Sequence, residues 1–258
     1  MAMDGKIPVR NAPCCVIELG RLGYADACEL QQRLVAARKA RSVPNLLLFC
    51  EHPPVLTLGR NGRAEHLRVP VSELGQMGVE FHHSNRGGDI TYHGPGQIVG
   101  YPILQLGEIR RDVVWYVRQL EEVMIRASEA FGVAAFRVPG RTGVWTRPAG
   151  NVTCFEEKLG AIGVHISRWV TSHGFAYNVS TDLSYFDLIV PCGIADCRAT
   201  SLERLLGRPV ATAEVWPRLA AEFGRAFALE MQTARRQDLD DWLAAAEGQA
   251  IAATGAPR

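Results

Sequence analysis

Between Ala134 and Ser180 the sequence breaks into short β-like runs, AAFRV, GVWT, NVTCF, KLGAIGVHIS and GFAYNVS. Turn signals such as PG and RPAG separate them. Directly before them stands the clearest helix in the chain. Val113, Val117, Leu120, Met124, Ala127 and Phe131 recur at three- and four-residue steps until Gly132 stops the pattern. Strands and helices are thus mixed without a regular strand–helix alternation. The mixture predicts a single α/β (α+β) domain around a mixed β-sheet flanked by helices.

The remaining elements fit that frame. CCVIEL (14–19) and LLLFC (46–50) read as strands, with an amphipathic helix over about 23–41 between them on Ala27, Leu30, Leu34 and Ala37. HPP (52–54) ends the second strand, and VLTLG resumes an extended course. Thr200 and Glu203 have the spacing of a capping box that opens a short helix at SLERLL. A further helix is expected over about 213–230, with Pro217 obscuring its start. The expected organisation is a flexible N-terminus (1–12), one catalytic domain (13–230), and a C-terminal helix and tail (231–258).

Composition narrows the class. With 28 basic and 27 acidic residues in 258, no global field favours nucleic acid or a membrane surface. No apolar window reaches the roughly 20 residues of a membrane span, and the first residues have no signal-peptide core. Seven cysteines, an odd number without dense regular spacing, do not make a secreted disulfide scaffold, and a reduced cytoplasmic protein is expected.

Three stretches could carry chemistry. In RGGDITYHGPGQIVGYPI (86–103), five glycines let backbone approach a ligand closely, and Arg86, Tyr92 and His93 add a charge and two polar rings. It has neither a Walker A ending nor Rossmann spacing, and a pair of glycine-stabilised hairpins would produce the same composition. Lys158 opens the alternating run KLGAIGVHIS, where a solvated edge lysine is the ordinary expectation. In VPCGIADC (190–197), Cys192 between Pro191 and Gly193 could be an exposed nucleophile. A free thiol of pKa about 8.5 is only a few per cent thiolate at neutral pH, so such a nucleophile needs a nearby cation. A buried structural cysteine is the commoner alternative. Cys192 and Cys197 with His165 and His173 could also hold zinc, although four intervening residues is the loose limit for a ligand pair. C-x4-C is not a C-x-x-C redox pair.

Taken together and in this order, RGGDITYHGPGQ, KLGAIG and VPCGI resemble the lipoyl(octanoyl) transferase family, over about residues 45–206. HPPVLTLGR (52–60), GVW (143–145), GFAYNVS (174–180) and TSL (200–202) support the resemblance. It implies a biotin/lipoate protein ligase-like fold, related to class II aminoacyl-tRNA synthetases. It also implies an acyltransferase that needs no cofactor or metal. An octanoyl group would pass from octanoyl-acyl carrier protein to a cysteine, and from there to a lysine ε-amine. The acceptors would be the lipoyl domains of 2-oxoacid dehydrogenase E2 subunits and the glycine cleavage H protein. Carried over, Cys192 would form the acyl thioester and Lys158 would lower its pKa. Arg86, Gly87, Gly88, Asp89, Ile90, Thr91, Tyr92 and His93 would line the acyl pocket, with Ala161, Ile162 and Gly163 and with Gly174, Phe175 and Ala176. Cys197 stands where the family more often carries a non-thiol, and RPAGNVTCFEE is a somewhat long insert. An ATP-dependent lipoate or biotin ligase and a non-catalytic acyl-binding protein are the alternatives; the first needs no nucleophilic cysteine, the second neither Cys192 nor Lys158. Some of Arg137, Arg141, Arg147 and Arg168 are candidates for docking acidic partners.

Overall fold

The computed structural model describes residues 12–147, 156–190 and 198–254. The N-terminal half contains β1 (Ala12–Arg21), α1 (Tyr24–Lys39), β2 (Asn45–Glu51), β3 (Val55–Leu58), α2 (Val71–Leu74), β4 (Glu80–His83), β5 (Ile90–His93) and β6 (Gln97–Ile103). Then come α3 (Leu106–Ile109), α4 (Val113–Glu129), β7 (Ala135–Val138), β8 (Arg141–Thr146), β9 (Glu157–Ser167) and β10 (Val170–Asn178). The chain continues through β11 (Arg198–Ala199), α5 (Leu202–Leu206), α6 (Thr212–Phe227), β12 (Leu229–Thr233) and α7 (Arg236–Thr254).

A large mixed sheet runs in the order β12-β1-β2-β6-β10-β9-β8-β7, with β11 pairing β9. One face is covered by α4 and α6. Asp112 caps α4 by accepting the Trp115 N–H at 2.9 Å. Its buried stripe is Tyr116, Leu120, Val123, Met124 and Ala127, packed with Leu159, Phe175 and Tyr177 of the sheet and with Leu219, Phe223 and Phe227 of α6. Leu120, Met124 and Ala127 of the predicted stripe are buried, whereas Val113 is 46% exposed and Tyr116 begins the buried face. On the opposite face α1 and α7 cover a second core containing Leu30, Leu34, Leu46, Leu48, Leu239 and Leu243.

Between β2 and β6 the chain leaves to build a small sheet, β4-β3-β5, with its own core of Leu56, Leu58, Leu74, Val79, Ile90, Tyr92 and Ile189. This outlying layer stands beside β9 and β10, and the space between them matters most for function.

Two local expectations change. The cap of α5 is Ser201, whose hydroxyl accepts the Arg204 N–H at 3.3 Å, rather than Thr200. Thr200 instead extends the chain along β9, its N–H bonded to Lys158 O at 3.0 Å, and Glu203 accepts from Val210 N–H at 3.2 Å. Helix α6 starts at Thr212, within a residue of its expected start, with Pro217 inside it. After α6, Ala228 turns the chain at φ 53°, and residues 229–233 form a strand parallel to β1, where only helix and tail were expected.

Candidate active site

A cavity of about 620 Å³ opens between the small sheet and the strands β6, β9 and β10. Its wall is made possible by close backbone approach. The segment 86–89 is stitched to residues 59–61 on one side, through Arg60 N–H to Arg86 O at 3.0 Å and Asn61 N–H to Gly88 O at 3.1 Å. On the other side Gly87 N–H donates to Val164 O of β9 at 2.9 Å. A Cβ at Gly163 would lie 2.9 Å from Gly87 O, and one at Gly59 only 2.4 Å from Gly88 O, so bare backbone is required at both contacts.

Arg86 locks this arrangement. Its guanidinium is buried and donates to Thr57 O at 2.6 Å, to Thr57 Oγ1 at 2.8 Å and to Gly87 O at 3.1 Å. It therefore joins β3 to the glycine-rich segment, while also lining the cavity. Removing it would strand a buried carbonyl and a buried hydroxyl.

Lys158 reaches the cavity through a bulge. Val144 pairs with Gly160, but the next residue of β8, Trp145, pairs with Lys158, so Leu159 is the extra residue in β9. Leu159 turns into the α4 core and Lys158 onto the cavity face. Strict alternation along KLGAIG would place Lys158 opposite Ala161 and Gly163; the bulge puts all three on one wall. The ammonium lies 5.1 Å from the centroid of the Trp145 ring, which also carries the Arg141 guanidinium at 5.6 Å.

Six residues along β9 from Lys158, roughly 20 Å, the cavity wall becomes polar. His173 pairs with Val164, and His93, Tyr24 and Tyr101 lie nearby. Gln97 donates through Nε2 to Asn178 Oδ1 at 2.8 Å and to Tyr92 O, so its Oε1 accepts from His93 Nδ1–H at 2.7 Å. His52 must donate from Nδ1 to Leu22 O at 2.6 Å, which leaves Nε2 to accept from Tyr101 O–H at 2.8 Å. Burial, followed by the neighbouring His52 and Arg86, pushes the His93 imidazole down to about 3. Burial and then Arg86 bring His173 down to about 4. These rings are neutral at physiological pH, and Arg86 is a cation set among them.

Of the residues singled out in the sequence, Arg86, Gly88, Asp89, Ile90, Thr91, His93, Lys158, Ala161, Ile162, Gly163, Gly174, Phe175 and Ala176 line this one cavity. Gly87 and Tyr92 do not. Alternation along β5 turns Tyr92 into the small-sheet core, stacked on Tyr185 at 4.7 Å. Cys192 and Cys197, like NVTCF, lie outside the described residues. Their flanks do not: Val190 N–H donates to His66 O at 2.7 Å, and Ala199 pairs with Lys158, so both arms of the segment are anchored at residues of the cavity. Tyr24, His66 and Trp145 line the cavity from distant parts of the chain, and of these only Trp145 stands in a motif quoted above, GVW. Gln97 and Tyr101 also line it, from within the glycine-rich stretch 86–103, where only Arg86, Tyr92 and His93 drew attention for their side chains.

The four described cysteines, Cys14, Cys15, Cys28 and Cys50, are free thiols. Burial pushes all four up, away from thiolate. Among the described residues no three His, Cys, Asp or Glu side chains converge as a metal site, and no helix is long and apolar enough to cross a membrane. Of the four candidate docking arginines, Arg141 lines the cavity. Arg137 is held by Glu121 and Glu122, and Arg147 by Glu156. Arg168 occupies the β9–β10 turn at φ 51°, far along β9 from Lys158.

On its fold, the protein stands with the lipoate-protein ligases. It superposes on an archaeal bipartite lipoate-protein ligase from Thermoplasma acidophilum with a TM-score of 0.68, at 17% identity over 91% of each chain. A lipoate-protein ligase A bound with ATP gives 0.65, at 15% identity over 91% of this chain and 92% of that one. Sequence gives the narrower assignment: the family model described as the lipoyl protein ligase A/B catalytic domain matches residues 23–224, and the chain belongs to that family. Among its relatives, the octanoyltransferase of Acidobacterium capsulatum is 54% identical over 82% of this chain and 89% of its own. That of Solibacter usitatus is 50% identical over 84% and 94%.

Proposed function

We propose that this chain is an octanoyltransferase that loads lipoyl domains from octanoyl-acyl carrier protein through a thioester on Cys192. The observation that carries the reading is Lys158, turned by the β9 bulge onto the wall of a cavity of about 620 Å³ that Ile162, Phe175 and Ala176 also line. Relatives at about half identity that are named octanoyltransferases support transfer over ATP-dependent ligation, which is not favoured.

The Cys192 thiolate attacks the carbonyl carbon of the octanoyl thioester. The tetrahedral adduct collapses with release of the carrier's thiolate, leaving octanoyl on sulfur. The ε-amine of the acceptor lysine then attacks the same carbon, the Cys192 thiolate departs, and the amine's surplus proton passes to a base. No bond energy beyond the thioester's is needed, because exchange between sulfurs is nearly isoenergetic and amide formation runs downhill. Lys158 supplies the cation that favours the thiolate. The cavity supplies binding energy of about 0.8 kcal/mol for each methylene it removes from water. Two bulky protein substrates visit in turn, which a covalent intermediate permits. The acceptors are lipoyl domains, with those of 2-oxoacid dehydrogenase E2 subunits and the glycine cleavage H protein as the proposed members, in a reducing cytoplasm.

The test is transfer without nucleotide. Purified protein, octanoyl-acyl carrier protein and a lipoyl domain should give an octanoylated lysine at full rate in the absence of ATP. An absolute ATP requirement would sink the reading in favour of the ligase.

A further inference from the structure

Glu121 is completely buried on α4, yet nothing in the transfer chemistry requires an acid there. Burying a carboxylate is expensive unless its oxygens are engaged. One oxygen of Glu121 is held by Arg118 Nη1 at 2.7 Å and Arg137 Nε at 3.0 Å. The other accepts the backbone N–H of Gly143 at 3.1 Å. Arg137 is itself fixed to Glu122 at 2.7 Å and to Arg118 O at 2.9 Å, so the carboxylate is held rigidly.

Gly143 is where this network meets the site. The pairing of β8 with β7 skips the residues between Arg141 and Trp145, and its pairing with β9 reaches only as far as Val144, so Gly143 has no ladder partner among the described residues. Its N–H therefore needs another buried acceptor, which Glu121 provides. It sits at φ +120°, a conformation open to glycine and rarely to other residues. A Cβ there would lie 2.8 Å from Lys158 Cε and 2.5 Å from Gly160 O, so bare backbone presses directly on the end of the lysine chain. The Trp145 ring meets the same ammonium at 5.1 Å.

We propose that Glu121 is a positioning residue for Lys158, acting through Gly143: it fixes the off-ladder backbone of β8 and so fixes where the ammonium sits. An ordinary ladder at this point would satisfy the Gly143 N–H without any buried charge. The carboxylate, two arginines and a positive-φ glycine are a costly construction whose product is a defined position for the lysine.

The inference rests on the role given to Lys158 above, and the experiment separates the two. Lys158→Ala is expected to fold, to slow single-turnover acylation by octanoyl-acyl carrier protein, and to move alkylation of the reactive thiol to higher pH. Glu121→Ala is expected to lower Tm and also to slow acylation about tenfold in the protein that remains folded, with KM for the carrier unchanged. A tenfold loss corresponds to about 1.4 kcal/mol of transition-state stabilisation. Glu121→Gln keeps an oxygen for the Gly143 N–H and should recover most of that rate. If Lys158→Ala acylates and alkylates like the wild type, the role of Lys158 fails and the inference falls with it. If Lys158→Ala is slow but folded Glu121→Ala acylates at the wild-type rate, the inference alone is overturned. Should Glu121→Ala not fold, Glu121→Asp takes its place, keeping the charge for the arginines but one methylene short of the Gly143 N–H: slowed acylation with unchanged KM supports the positioning role, and a wild-type rate overturns it.

Discussion

Cys192→Ser is expected to abolish octanoyl transfer, with a fall of at least about 10³-fold in kcat/KM. Serine preserves size and hydrogen bonding, but its hydroxyl does not ionise near neutral pH, and a nearby ammonium cannot bring it there. No other described thiol is placed to substitute. Cys14 and Cys50 are fully enclosed in the sheet cores, and burial holds Cys15 and Cys28 up as well. Cys197→Ser is expected to transfer at close to the wild-type rate, because nothing assigns a cation or a role to that sulfur. Measured with carrier and lipoyl domain together, a Cys192→Ser enzyme that kept a tenth of its activity would place the nucleophile elsewhere.

A second large effect is expected on stability. The protein should lose stability steeply as pH falls from 7 to 5, before most carboxylates titrate. His93 and His173 sit at about 3 and about 4 in the folded chain, against about 6.5 when unfolded. A base whose folded pKa is depressed binds fewer protons folded than unfolded between those values. Stability therefore rises with pH across that window: it is fully present above about 6.5 and is lost progressively below it. Each group withdraws about 1.4 kcal/mol per pH unit, so the two together remove roughly 4 kcal/mol between pH 6.5 and 5. His52, lowered by burial, acts in the same direction. Against a usual total of 5–15 kcal/mol this is a large share. Urea midpoints at pH 7 and pH 5 test it, with His173→Gln expected to flatten the dependence. Equal midpoints at the two pH values would mean that these rings open to water or find acidic partners on protonation.

The parts of the fold legible in the sequence were those set by local pattern. The stripe that became α4 and the apolar run LLLFC of β2 needed only periodicity and burial. What the pattern missed was decided by pairing. The face of Lys158 depends on a bulge that appears only when β8 lies against β9. Residues 229–233 look like a polar tail until β1 offers them an open edge. Ser201, not Thr200, caps α5 because Thr200 is already committed to β9. For the cavity, a short contiguous motif marked Arg86 to His93, whereas Tyr24, His66 and Trp145 come from three distant elements that only the topology brings together. Glu121 is the extreme case: a helical glutamate is ordinarily exposed, and two of the partners that its burial requires, Arg137 and the Gly143 N–H, come from β7 and β8.

The most direct test of the central claim is the intact mass of the wild-type protein after incubation with octanoyl-acyl carrier protein, with neither ATP nor acceptor present. The account predicts a single octanoyl adduct, labile to hydroxylamine, mapping by peptide analysis to Cys192 and discharged by a lipoyl domain. An unmodified mass under conditions in which the complete mixture turns over, or an adduct on any other residue that a lipoyl domain discharges at the catalytic rate, would contradict it.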